Sequence, residues 1–227
     1  MGRPVPGWAR PERWAATALL AVGAPFLGAG AVAVRLSSPG PVVYRASRAG
    51  TDGAPFTMYK LRTMHLGTSS APITGGRDPR IFAAGMWLRR LKIDELPQLV
   101  NVVRGEMRFF GPRPEDPGIV DAHYSPWMWE TLTVPPGIVG PGSLGYFLEE
   151  EELVEDPEAA LEQYVTSLLP RKLARDLVYV RNPSVGYRVE LLLRTLLGVV
   201  GLRRLARRQE ARENERADAI LRDVTAS

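Results

Sequence analysis

The chain has 227 residues, enough for one sizeable domain or for one domain with appendages. Hydrophobic residues make up 45 % of it and charged residues 24 %, which excludes a disordered composition, and 29 Lys and Arg stand against 25 Asp and Glu. Cysteine is absent and His65 and His123 are the only histidines, so disulfides, thiolate nucleophiles and Cys- or His-rich metal sites are excluded; a hard cation on carboxylates is the metal chemistry left.

Residues 14–34 carry no charge and are flanked by Arg10, Arg13 and Arg35. The stretch is as long as a membrane-spanning helix. A secretory signal is set aside, and a simple span competes with a re-entrant helical hairpin. Pro25, at its middle, removes one backbone hydrogen bond and favours a break there. Arginines at both ends disfavour carrying either end across a bilayer.

Residues 38–41 form a turn, and 42–45 read as a short strand. A hairpin-like turn at 50–53 leads to a second strand at 56–62. Residues 67–80 read as a loop and 85–90 as a short helix. The clearest helix runs over 94–104, with Asp94 as N-cap, Pro97 in the first turn and Gly105 as the stop. Its periodicity places Leu96, Leu99, Val100 and Val103 on the buried face.

Residues 111–147 are rich in Pro, Gly and aromatics. Tyr124, Trp127, Met128 and Trp129 are read either as core or as a bilayer-interface patch. The acidic run 149–158 reads as a solvated helix start. Helices are expected over 161–169 and 173–180, and an apolar one over 191–205. Arg203, Arg204, Arg207 and Arg208 follow, suited to a juxtamembrane lipid contact. The tail 206–227 mixes charges and reads as a solvated helix or a disordered segment. The expected organisation is an anchor at 1–37, a catalytic domain at 38–205 and a polar tail at 206–227, with no internal repeat and no second domain.

Three blocks carry chemistry. Asp94 and Glu95 are adjacent carboxylates at a helix start. Side chains at i and i+1 diverge by about 100° on a helix, which favours a division of labour. A helix start also favours anions, and on this reading it keeps Asp94 ionised. The plainer reading is a cap beside a solvated glutamate. Arg113 lies between Pro112 and Pro114, on a stiff backbone that suits a fixed anion site. Lys60 and Arg62 lie in a strand alternating cationic and apolar residues, which a solvated strand face explains equally well. No strand followed by GxGxxG occurs, and the arginines form no long basic face, so a Rossmann-type nucleotide site and nucleic-acid binding are not expected.

Together the blocks SPGPVVYRASRAG, FTMYKLRTM, RDPRI, LRRLKIDELPQLVNVVRGEMRFFGPRP, VPPGIVGPGSLG and LPRKLARDLVYVRNPS resemble the bacterial sugar transferase family, the monotopic polyprenyl-phosphate phosphoglycosyl transferases, over roughly 10–200. The resemblance implies an α/β fold: a small, irregular, short-stranded sheet, surrounding helices, a re-entrant anchor hairpin broken at Pro25, and interfacial amphipathic helices. It implies transfer of a phosphosugar from a UDP-sugar to polyprenyl phosphate, with release of UMP, at the cytoplasmic face of a bacterial membrane. Asp94 is then the nucleophile, forming a phosphosugar-aspartyl intermediate. Glu95 holds Mg²⁺ or assists the lipid phosphate, and Arg89, Arg113, Lys60 and Arg62 contact phosphates. Membrane lipid is an implied partner, initiation of surface glycan synthesis the implied role, and homo-oligomer formation stays open. The multi-span N-terminal region of larger relatives is not in this sequence. Ala24, Glu106, Arg108, Phe109–Phe110, Gly186 and Arg188 depart from the family pattern, none of them in the dyad.

Overall fold

A computed structural model describes residues 9–67, 78–149, 156–202, 205–206 and 210–226. Most of the expected loop at 67–80, most of the acidic run and Arg203, Arg204, Arg207 and Arg208 lie outside the described residues. The elements are mostly helical with two two-stranded sheets. The chain groups into two compact units.

The first unit comprises the described parts of Met1–Arg48, Phe56–Thr68 and Pro79–Phe109. Helix α1 (Ala9–Ser37) runs through Pro25 without interruption. Among its buried and half-buried positions, Ala16, Leu20, Gly23, Leu27, Gly30 and Val34 follow alternating steps of four and three residues. This is one continuous seam along a single helix face. At one end Arg13 Nη2 donates to the Arg104 carbonyl (3.0 Å) and Glu12 lies 3.7 Å from Arg108. At the other, Val34 and Leu27 pack with Leu61, Phe82, Leu88 and Ile93. The opposite face exposes Trp14, Leu19, Val22, Phe26, Val32 and Leu36.

Two separate helical arms, as read from the sequence, are therefore not seen. Pro25 removes a single N–H and is exposed, so the seam on the other face continues past it.

Strands β1 (Val43–Ala49) and β2 (Pro55–Leu61) pair as the expected hairpin. Its tip turns through Asp52 and Gly53, at φ 56° and 75°. Helix α2 (Ala83–Arg90) follows. The expected single helix over 94–104 is instead a 3₁₀ turn (Ile93–Gln98) leading into α3 (Leu99–Arg104), stopped by Gly105 at φ 81°. Pro97 has no N–H to give to the carbonyl four residues back, so the turn tightens. The tightening also rotates the buried face. Asp94, Pro97, Gln98, Leu99, Asn101 and Val102 are buried, whereas Leu96, Val100 and Val103 are half-buried.

The second unit comprises the described parts of Ala49–Pro55, Ser69–Asp78 and Phe110–Ser227. Strand β3 (Arg108–Phe110) pairs with β4 (Gly137–Val139). Between them lie α4 (Pro117–His123), capped by Asp116, and a 3₁₀ turn (Met128–Thr133). Next come α5 (Pro141–Glu149), α6 (Pro157–Gln163), a π-helical turn (Tyr164–Leu168), α7 (Leu169–Arg181) and α8 (Val185–Val199). Helix α9 (Ala211–Ala226) completes the described chain.

The core gathers Ile119, Met128, Tyr164, Leu168, Leu169 and Leu173, with Tyr124 and Trp127 packed against it. Three of the four clustered aromatic and Met residues thus join the core. Trp129 stays 42 % exposed, edge-on to Tyr124. The tail is a helix, docked through Ala217, Ile220 and Leu221 onto Ala174 and Val178 of α7.

Candidate active site

The dyad sits in the 3₁₀ turn of the first unit. Its N-cap, Lys92, takes a left-handed backbone (φ 57°, ψ 19°), a costly conformation for a residue with a Cβ. Asp94 does not cap this turn: no side-chain cap hydrogen bond forms. It is 5 % exposed, and its Oδ1 is buried without a hydrogen-bond partner among the described residues.

Burial, and next the neighbouring Glu95 charge, push the Asp94 carboxyl up to about 6, while Lys60, Lys92 and Arg89 pull it down. At about 6 the carboxyl is still mostly ionised at neutral pH. Desolvation drives the rise, and the three cations limit it. Glu95 Oε1 lies 3.6 Å from Lys60 Nζ and 3.7 Å from Lys92 Nζ. Arg89 is steadied by Nε donation to Thr63 Oγ1 at 3.0 Å.

Asp94, Glu95, Arg89 and Lys60 therefore share one electrostatic site, and Lys92 joins them. Arg62 has a different post. It is 3 % exposed, and its guanidinium donates to Ser38 Oγ and O and to the Pro41 carbonyl, each at 2.7 Å, and to the Met64 carbonyl at 3.2 Å. It ties the end of α1 to β2, so its donors are occupied by the protein rather than offered to a phosphate. Arg113 belongs to the second unit. Its backbone N–H acts on the Asp176 carboxylate, which also accepts from the Gly142 N–H at 3.0 Å.

Mg²⁺ is commonly held by one or two carboxylates together with substrate phosphates. Glu95, beside an Asp94 oxygen that has no hydrogen-bond partner, fits that mode. Among the described residues no group of three or more His, Cys, Asp or Glu forms a full protein cage.

Two buried polar residues escaped the sequence reading here. Gln98 is 1 % exposed, with neither amide atom hydrogen-bonded within the described residues, and Asn101 is fully buried. Their signal was a polar residue every third or fourth position (94, 98, 101) through an apolar helix. Asp176, the one acidic residue of α7, was a similar signal.

The family model for bacterial sugar transferase matches residues 12–202. The chain belongs to the bacterial sugar transferase family. Among its relatives, the UDP-glucose:undecaprenyl-phosphate glucose-1-phosphate transferase of Caulobacter vibrioides is 35 % identical over 80 % of this chain and 65 % of that protein. The enzyme of the same name from Escherichia coli is 34 % identical over 80 % of this chain and 37 % of its own length. The putative undecaprenyl-phosphate N-acetylgalactosaminyl 1-phosphate transferase of Bacillus subtilis is 42 % identical over 46 % and 59 %. This bacterial sugar transferase chain thus spans less than two thirds of each of these relatives.

Proposed function

We propose that the protein transfers a sugar 1-phosphate from a UDP-sugar to polyprenyl phosphate, releasing UMP, as the first membrane step of surface glycan assembly. The observation that carries this reading is the buried, unpartnered Oδ1 of Asp94 beside Glu95, in the field of Lys60, Lys92 and Arg89. A carboxylate stripped of water and kept ionised by nearby cations is a competent nucleophile. The relatives' names supply the substrate classes.

In this reading Asp94 attacks the donor's β-phosphorus. The bond to the bridging oxygen breaks, and its electron pair leaves with UMP. An oxygen of polyprenyl phosphate then attacks the same phosphorus. The Asp94 carboxylate departs with its electron pair, leaving a polyprenyl-diphosphate sugar. Lys60 and Lys92 hold Glu95 in place, and Arg89 neutralises phosphate charge. Mg²⁺ held by Glu95 and the substrate's own oxygens would supply further charge neutralisation at the diphosphate.

The membrane assignment rests on α1. It is the one described helix long and apolar enough to cross a bilayer, and only 11 % of its apolar window is buried. Because Glu12, Arg13, Leu27 and Val34 all contact the same unit, a crossing that separates the ends of α1 is disfavoured. We take α1 to lie along the cytoplasmic face of the bilayer, its exposed apolar face in lipid.

The test is UMP release by the detergent- or nanodisc-held protein with polyprenyl phosphate, Mg²⁺ and a panel of UDP-sugars. Release with one sugar, abolished in Asp94→Asn, supports the reaction and names the donor. No release from folded, lipid-bound protein with any sugar removes it.

A further inference from the structure

Among the described residues strand β2 has one neighbouring strand, β1. The Arg62 N–H donates to the Val42 carbonyl and the Gly50 N–H to the Ala54 carbonyl, both at 2.8 Å. The two pairs share one register, so the even-numbered residues of β2 turn their peptide groups toward β1. In an antiparallel ladder the odd-numbered ones then face away, onto an edge with no strand of the described residues beside it.

On that edge stands the side chain of Asn101. Its Nδ2 donates to the Thr57 carbonyl (2.7 Å), and its Oδ1 accepts from the Tyr59 N–H (3.3 Å). A primary amide offers one donor and one acceptor in the arrangement of a peptide group, so Asn101 completes the ladder where a third strand would. Nδ2 is also held by Glu106 Oε2 at 2.7 Å, while the Glu106 N–H returns to the Asn101 carbonyl at 2.9 Å. From the same helix, Arg104 donates to Tyr59 Oη at 2.6 Å and stacks on its ring. The residue after Tyr59 is Lys60, whose ammonium lies 3.6 Å from Glu95.

We propose that Asn101 is a positioning residue for the transfer reaction. By clamping the outer edge of β2 it sets the register from which Lys60 reaches Glu95, and Glu106 orients the clamp. This rests on the reading of Glu95 and Lys60 as part of the transfer site.

Two experiments test it on the full, lipid-held chain. The first needs no activity: hydrogen exchange at single amides in wild type and Asn101→Ala. The Tyr59 amide should exchange at least about tenfold faster in the variant, while the amides of Met58 and Lys60, turned to β1, stay protected. Unchanged Tyr59 protection overturns the clamp whatever the enzyme's substrate. The second is a double-mutant cycle on UMP release. Asn101→Ala should lower kcat roughly ten- to a hundredfold with KM for the donor within about twofold, and Lys60→Met/Asn101→Ala should be no slower than Lys60→Met alone. Losses that multiply, or a loss confined to KM, overturn the proposal. Should Asn101→Ala not fold, Glu106→Ala against Glu106→Gln replaces it in both experiments. The Ala variant should show the same pattern more weakly, and Gln, which keeps an acceptor, should restore wild-type behaviour; equal behaviour of Ala and Gln overturns it. Absence of UMP release in wild type would defeat the transfer reading, not the clamp.

Discussion

Asp176, in the middle of α7, accepts the backbone N–H of Gly142 at the start of α5, 3.0 Å from its Oδ1. A Cβ on Gly142 would stand 2.6 Å from the other carboxylate oxygen and 2.5 Å from the Lys172 carbonyl. Backbone cannot yield as a flexible side-chain tip does. Gly142→Ala is therefore expected to destabilise by about 1–3 kcal/mol. Gly186→Ala, where a Cβ meets nothing within 4 Å, should be neutral or slightly stabilising. Thermal unfolding of the two variants side by side checks the contrast.

Asp176 itself should tilt the stability curve. Burial pushes its carboxyl up to about 7 from 3.8, against the pull of Lys172 and the Gly142 amide. The folded state thus binds a proton the unfolded state has released across that window, and stability falls as pH rises from about 4 to 7. The contribution is on the order of 2–4 kcal/mol, and Asp176→Asn should flatten that part of the curve. Denaturant melts at pH 5 and pH 8 measure it; a slope unchanged in the variant refutes the assignment.

For the reaction, the Asp94 carboxyl at about 6 sets an acid limb. On the proposed reaction, UMP release should climb with pH through about 6 and level off above 7, because there only the ionised carboxylate would attack. Removing a cation raises that carboxyl further, so Lys92→Met should move the limb to higher pH. A limb that stays put in Lys92→Met would separate the pH dependence from Asp94.

Arg62 and Arg194 test the structural arginines. Arg62→Ala leaves the end of α1 untied from β2 and should lower the melting temperature while KM for the UDP-sugar changes little. Arg194 is fully buried, donating to Glu213 Oε2 at 2.8 Å, with Glu210 at 3.3 Å. Arg194→Met strands two buried carboxylates and should cost roughly 3–5 kcal/mol of stability, measured by chemical denaturation.

The carboxylate pair, the hairpin at 43–61, the long apolar helix near the start of the chain and the stop at Gly105 were all legible in the sequence, because each rests on chemistry within a few residues: adjacent carboxylates, period-two alternation, an uncharged run, a glycine free to take positive φ. Tertiary structure alone decided the rest. It turned Asp94, Gln98 and Asn101 inward where periodicity placed Val100 and Val103, because Pro97 tightens the turn and α3 then presents its polar side to the edge of β2. It gave Arg62 to Ser38 and Pro41, and it laid α1 along its unit on a seam of small and apolar residues. Spacing along a chain tells which groups can share a face. Which face lies inside, and which charged group is left for a substrate, depends on partners tens of residues away, such as Asn101 on Thr57 or Asp176 under Gly142.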